Sequence, residues 1–172
     1  VPYRVFPSLT GLQVNDDFFS FLQTWRRKKT PIKYLWHREN LLDAMLDAHF
    51  YFGGKSAVVA LEPDHLYAIS GWLKEMGISL QGILSSIPTP ILKRMKEEVW
   101  IGDLGDLEDI ARGVNLWISN SHGKQGAERI GAHFIPLGFP VFDRLGTPIF
   151  TSVGYRGTTD LLIQVGNQLL ED

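Results

Sequence analysis

The spacing of apolar residues along the chain changes near residue 55. Before that point, two stretches show helical spacing, in which residues three or four positions apart share a face. The first helix is expected to begin at Asn15 or Asp16, whose side chains can cap it, and to end before Pro31. The second is expected to cover residues 35–51. One face of this second helix would carry Leu42, Met45, Leu46 and His49.

After residue 55, short apolar runs alternate with amphipathic stretches. The apolar runs begin near Ala57, Leu80, Val99, Leu116 and Phe134. They are roughly 17 to 23 residues apart, which is the length of one helix and two short loops. The starts expected for the intervening and final helices are Pro63, Thr89–Pro90, Asp106, the region of Gly126, and Thr158 or Thr159.

Repeated βα units of this length cross over right-handedly and build a doubly wound, mainly parallel α/β sheet. We therefore expect a Rossmann-like domain over residues 55–172, with an N-terminal linker and helices over residues 1–54 packed alongside it. The chain does not begin with methionine. We expect it to be the C-terminal domain of a longer protein.

The composition narrows the class of protein. The chain has 17 basic and 19 acidic residues and a net charge of −2, which gives no overall attraction for nucleic acid. The one basic run, residues 26–29, lies at an expected helix end, where cations complement the helix dipole. No signal peptide is recognisable, and no apolar run approaches the ~18 residues of a membrane span. These features predict a cytoplasmic protein with no nucleic-acid or membrane partner.

The metal-binding chemistry of the chain is limited to oxygen and nitrogen ligands. There is no cysteine, so thiolate ligation of zinc or of an iron–sulfur cluster is excluded within this chain. The five histidines lack the spacing of a zinc site. Asp43 and Asp47 lie one helical turn apart, usually a solvated arrangement. They could bind a hard cation such as Ca²⁺ if a partner chain supplied the other ligands.

The loop after the fourth strand contains the candidate binding residues, which are Ser119, Asn120, His122 and Lys124. Free backbone N–H groups at a helix start, with a nearby lysine, could hold a carboxylate or a phosphate-like group. Alternatively, Ser119, Asn120 and Ser121 cap the helix and brace a neighbouring loop. The loop after the first strand has carboxylates where a dinucleotide fold has glycines. No catalytic residue is predicted.

Five short motifs follow one another in a specific order. They are LDAMLDAH at residues 42–49, EPD at 62–64, NSHG at 120–123, GFPVFDR at 138–144 and GYRG at 154–157. Together they resemble the C-terminal region of the nitrogenase component 1 β-type superfamily. The resemblance is strongest to the N-type subunits of the scaffold that assembles the iron–molybdenum cofactor, and it covers nearly the whole chain.

The resemblance implies a parent protein of about three Rossmann-like domains, of which this chain is the third. Such a subunit pairs with an E-type subunit in an α₂β₂-like complex. That complex receives an iron–sulfur cofactor precursor, works with a reductase iron protein and passes the matured cofactor to nitrogenase. The cysteines that ligate clusters would lie in other domains or in the partner.

The resemblance also bears on individual residues. Asp43 and Asp47 match a carboxylate pair that helps to bind a cation at a subunit interface of the catalytic β subunit. Two alternatives to the scaffold remain open at this point. One is a domain of the catalytic β subunit or of a related tetrapyrrole reductase. The other is an enzyme domain that binds a small anionic or nucleotide-like ligand over residues 119–124.

Overall fold

A five-stranded parallel sheet runs through the middle of the computed structural model, which describes residues 3–170. Its strands are β1 (Ser56–Ala60), β2 (Ser79–Ser85), β3 (Trp100–Ile101), β4 (Leu116–Ser119) and β5 (His133–Pro136). Their spatial order is β3-β2-β1-β4-β5, and every neighbouring pair is parallel. The doubly wound α/β sheet predicted from the sequence is therefore confirmed.

Helices cover both faces of the sheet. They are α1 (Leu12–Arg26), α2 (Ile32–Phe52), α3 (Pro63–Glu75), α4 (Leu104–Ile110), α5 (Lys124–Ile130) and α6 (Gly154–Leu169). Helices α3 and α6, with Phe52 of α2, pack on one face against Ala57 and Val59. Helices α4 and α5 pack on the other face against Val58 and Ala60. Because successive side chains of β1 point to opposite faces, both layers bury this central strand completely.

Helix α1 begins earlier than its sequence predicts. The prediction of a cap at Asn15 or Asp16 is wrong, because the helix starts at Leu12 and both residues lie inside it. Its first N–H groups are bound by a residue far away in the chain: the Glu75 carboxylate of α3 accepts hydrogen bonds from Leu12 N at 2.7 Å and from Gln13 N at 2.9 Å. This cap depends on tertiary packing, so local capping rules could not reveal it.

The buried face of α2 also differs from the predicted stripe. Leu41 and Phe52 are fully buried, whereas Leu46 is 70% exposed and His49 is exposed. Helix α2 packs mainly against α6. Because of this contact, the inward-facing row of α2 includes Leu41, Ala44 and Ala48. Other apolar residues of the helix, such as Leu46, remain exposed to solvent.

Three further helix starts differ from expectation. The helix expected at Thr89–Pro90 is reduced to a 3-10 turn at Leu92–Arg94. Helix α4 is capped by Asp103, while Asp106 completes the capping box as its third residue. Helix α6 begins at Gly154, and Thr158 lies inside it, donating a hydrogen bond to Gly154 O. No helix within residues 3–170 is long and apolar enough to cross a membrane.

Candidate functional site

Three loops meet at the carboxyl ends of β1, β4 and β5, and Phe139 joins them. Its backbone N–H donates to Glu62 Oε1 at 3.0 Å, which connects it to the loop after β1. Its carbonyl oxygen accepts from Asn120 Nδ2 at 3.1 Å, which connects it to the loop after β4. Because β1 and β4 are the neighbours at which the strand order reverses, this edge is where doubly wound sheets usually bind ligands.

The polar side chains of residues 119–121 are engaged within the chain. Ser119 is fully buried, and its hydroxyl accepts from Trp117 Nε1 at 2.9 Å and donates to Asn120 O at 3.1 Å. Asn120 Oδ1 accepts from His122 N at 3.1 Å, which caps the short turn at Ser121–Gly123. Ser119 therefore supports the loop from below, and Asn120 holds it to Phe139.

Ser121 and Lys124 both turn towards Asp143 of the loop after β5. Ser121 Oγ donates to Asp143 Oδ1 at 2.5 Å and accepts from Phe142 N at 2.9 Å. Lys124 Nζ lies 3.7 Å from Asp143 Oδ2. The serine hydrogen bond, with a smaller effect of Lys124, holds the pKa of the Asp143 carboxyl below its ordinary value. Lys124 is thus an ion-pair partner within the chain.

Gly123 is required by close packing beneath this loop. A Cβ atom on Gly123 would lie 2.0 Å from Ser119 Oγ and 2.5 Å from Trp117 Nε1. Both atoms belong to the buried hydrogen bond between Trp117 and Ser119. Only a residue without a side chain lets the turn rest directly on that pair.

A cleft of about 620 Å³ opens beside the loop at the carboxyl ends of β1 and β2. Its polar lining consists of Glu62, Ser86, Asp103, Asn120 and His122. Of the described residues that line it, Glu62 and Asp103 carry carboxylates, and Lys124 is not among them. Two carboxylates without a lysine or arginine disfavour an anionic ligand. His122 is exposed, and its ring contacts Phe142 edge-on at 5.2 Å between centroids.

Asp43 and Asp47 lie elsewhere, on the exposed face of α2. Two of their neighbours on that face, Leu46 and Phe50, are 70% and 84% exposed. Within residues 3–170, no group of three or more His, Asp or Glu side chains is arranged to hold a metal ion. A cation bound by these two carboxylates would therefore need ligands from another chain or from water.

The comparison with known protein families decides the assignment. The model of the nitrogenase component 1 type oxidoreductases matches residues 1–170. The chain belongs to this family. It is similar to the nitrogenase iron–molybdenum cofactor biosynthesis protein NifN of Bradyrhizobium diazoefficiens, with 43% identity over 99% of this chain and 37% of that protein. The NifN protein of Sinorhizobium fredii is 44% identical over 97% of this chain and 36% of that protein.

The chain is also similar to a subunit of nitrogenase itself. The nitrogenase molybdenum-iron protein beta chain of Clostridium pasteurianum is 30% identical over 99% of this chain and 40% of its own length. A solved structure of nitrogenase Cp1 at pH 6.5 matches the fold with a TM-score of 0.93 at 28% identity, over 99% of this chain and 40% of that one. The chain thus spans less than half the length of these relatives.

Within this nitrogenase component 1 type fold, the predicted binding residues have different surroundings. Asn120 and His122 line the cleft, Ser119 lies buried beneath it, and Lys124 points to Asp143. Sequence reasoning assigned no role to Glu62 in fixing Phe139. The sequence sign of this contact is the glycine that precedes Phe139. Gly138 has a φ of +82°, and a Cβ atom there would lie 2.8 Å from Glu62 Oε2.

Proposed function

We propose that this chain is the C-terminal domain of a cytoplasmic scaffold subunit on which the precursor of the nitrogenase iron–molybdenum cofactor matures. One observation carries the proposal. Seven NifN proteins are 35% to 44% identical to this chain over 97% or more of its length. The molybdenum-iron protein beta chain of Clostridium pasteurianum covers the chain equally well at 30% identity.

In this proposal the parent protein pairs with an E-type scaffold subunit in an α₂β₂-like complex, which a reductase iron protein serves. Iron–sulfur clusters are normally held by cysteine thiolates, and this chain contains no cysteine. Its own residues therefore do not fit a cluster-ligating role. The cluster would be held by other domains or by the partner subunit, and this domain would contribute walls and interfaces.

The geometry at the carboxyl edge of the sheet supports a structural role, as part of the wall of a cavity, better than a catalytic role. Ser119 is buried, Asn120 is bound to Phe139, and Lys124 lies against Asp143. These contacts fix the shape of the loop and leave Asn120 and His122 as its cleft-lining polar residues. An enzyme for small anionic ligands is less well supported, because the charged lining of the cleft is formed by Glu62 and Asp103.

Asp43 and Asp47 have a separate role in this proposal. We infer that they contribute oxygen ligands to a cation that a second subunit completes. Both carboxylates are exposed on one side of α2 and are free of ion pairs to described residues. Hard cations prefer such oxygen ligands, and the exposed Leu46 and Phe50 beside them resemble an interface that another subunit covers.

Co-expression of the full-length protein with an E-type subunit tests the scaffold proposal. We expect one complex on size-exclusion chromatography, with iron and acid-labile sulfide in the same fraction and a visible absorption band. A full-length protein that stays monomeric and free of iron when the E-type subunit is present would contradict the proposal.

A second candidate, a domain of the catalytic β subunit, is favoured by the match to the molybdenum-iron protein beta chain. Deletion of the gene in a nitrogen-fixing host separates the two functions. If the protein is a scaffold subunit, nitrogenase from the deletion strain regains activity when isolated cofactor is added, because only cofactor assembly is lost. If it is the catalytic β subunit, added cofactor restores nothing.

A further inference from the structure

The turn between α1 and α2 carries a dense group of unpaired positive charges. Residues 26–33, here called the basic turn, contain five exposed cations, which are Arg26, Arg27, Lys28, Lys29 and Lys33. Within the described part of the chain, none of the five forms an ion pair with a carboxylate. Some cations elsewhere in the described residues do have such partners, as in Arg38–Asp16, Lys74–Glu97 and Arg129–Glu108.

Helix dipoles account for only part of this charge. Arg26 and Arg27 lie at the C-terminal end of α1, where cations are stabilised by the helix dipole. Lys28 and Lys29 lie beyond that end. Lys33 lies in the first turn of α2, where the dipole disfavours a cation, and that turn contains no acidic residue. The helix dipoles therefore do not explain the charges of Lys28, Lys29 and Lys33.

The basic turn has a defined shape and an exposed apolar border. Gln23 Nε2 donates to Thr30 Oγ1 at 2.6 Å, which fastens the turn to α1. Trp25 is 64% exposed on one side, and Ile32 and Trp36 are 84% and 58% exposed on the other. The Arg26 guanidinium lies 5.4 Å from the centre of the Trp25 ring. Tryptophan and arginine are among the residues enriched at the energetic centres of protein–protein interfaces.

We propose that the basic turn is a docking surface for an acidic surface of a partner protein. Charge complementarity supplies the recognition, and Trp25, Ile32 and Trp36 supply apolar contact area. The proposal rests on the charges and exposure of residues 25–36 and does not require the scaffold function. Its border on α2 adjoins the part of that helix face assigned above to a second subunit.

Other polyanions fit this surface less well. The apolar border on α2 continues along the same helix face to Asp43 and Asp47, which an anionic lipid surface would repel. The chain as a whole carries a net charge of −2. A long nucleic acid would therefore extend from the basic turn onto a surface that does not attract it, whereas a protein can match a local patch.

Fluorescence anisotropy with the full-length protein tests the proposal. The probe is a labelled peptide rich in Asp and Glu with interspersed Phe, and the competing probes are labelled oligothymidine and vesicles that contain phosphatidylserine. We expect the double substitution Lys28→Glu and Lys29→Glu to weaken peptide binding about tenfold at low salt. We expect Trp25→Ala to weaken it about fivefold, which a purely electrostatic attraction would not show.

The matched control is Lys93→Glu with Lys96→Glu, an equal change of charge at two exposed lysines outside the basic turn. We expect this variant to bind the peptide within about twofold of the unchanged protein. Circular dichroism of every variant confirms that folding is retained. The proposal is overturned if the two charge reversals have equal effects, if the unchanged protein does not bind the peptide, or if it prefers oligothymidine or vesicles. None of these outcomes bears on co-purification with an E-type subunit.

Discussion

At the scale of single residues, Gly123 is the most constrained position of the carboxyl edge. An alanine methyl group there would overlap Ser119 Oγ and Trp117 Nε1, both held in a buried hydrogen bond. We expect Gly123→Ala to lower the free energy of unfolding by about 1–3 kcal/mol, as overpacking commonly does. Urea denaturation measures the change.

The control is Gly71→Ala, at a helical glycine of α3 where an added Cβ atom would meet nothing within 4 Å apart from its chain neighbours and its own helix backbone. There we expect stabilisation of up to about 1 kcal/mol, because alanine is the better helix former. Equal effects of the two substitutions would show that the packing beneath residue 123 is not tight.

His122 differs from Gly123 because its side chain contributes little to folding. It is exposed, and its ring approaches Phe142 edge-on. We expect His122→Ala to change the free energy of unfolding by less than about 0.5 kcal/mol while altering the lining of the cleft. A loss above about 2 kcal/mol in the same urea measurement would show a structural role for the imidazole.

At the scale of secondary-structure elements, Asp16 joins three helices. Its carboxylate accepts two hydrogen bonds from Arg38 of α2, at 2.8 and 2.7 Å, and one from Tyr155 of α6 at 2.7 Å. Burial alone raises the pKa of Asp16, but the hydrogen bonds from Arg38 and Tyr155 and the charge of Arg38 outweigh it and keep that pKa below its ordinary value.

This lowered pKa makes the junction sensitive to acid. Its stabilisation is present above the ordinary aspartate pKa of 3.8 and is lost as the pH falls through the lower native pKa. We expect Asp16→Asn to cost about 1–2 kcal/mol at neutral pH, since the pair is partly exposed. Thermal or urea unfolding between neutral and acid pH should show that acid lowers the free energy of unfolding less in this variant than in the unchanged protein. Asp17→Asn, one position along α1, is the control, and an equal effect there would contradict the assignment.

The sequence predicted elements better than the contacts between them. Apolar runs located all five strands, and Pro63 marked the start of α3 correctly, because these signals are local. The start of α1 was missed because Glu75 of α3 supplies the cap. Lys124 pairs with Asp143, which lies in the loop after β5. The spacing of apolar residues does not predict the path of that loop. Local chemistry thus locates the candidate site, and tertiary packing decides which side chains remain available.

At the scale of the whole molecule, the exposed face of α2 is the surface on which assembly is expected. Asp43 and Asp47 lie there beside Leu46 and Phe50. We expect Asp43→Asn with Asp47→Asn to weaken association of the full-length complex about tenfold and to remove its dependence on divalent cations. Sedimentation velocity with and without a chelator measures both effects.

The control for this surface is Asp17→Asn with Asp160→Asn, an equal loss of charge at two exposed positions on α1 and α6. We expect its association and its response to the chelator to match those of the unchanged protein. If the unchanged protein associates equally well with and without the chelator, the proposed cation is contradicted. If the Asp43 and Asp47 variant associates as well as the unchanged protein, the proposed interface is contradicted.

The fixation of Phe139 affects how this edge transmits force. The residue is 81% exposed, yet its N–H is donated to Glu62 and its carbonyl accepts from Asn120. An exposed loop amide normally exchanges its hydrogen quickly with solvent, whereas this one is held by a carboxylate and should exchange slowly. A force applied to the Phe139 ring is therefore transmitted to the ends of β1 and β4 at once, so two neighbouring strands of the sheet resist displacement of this loop.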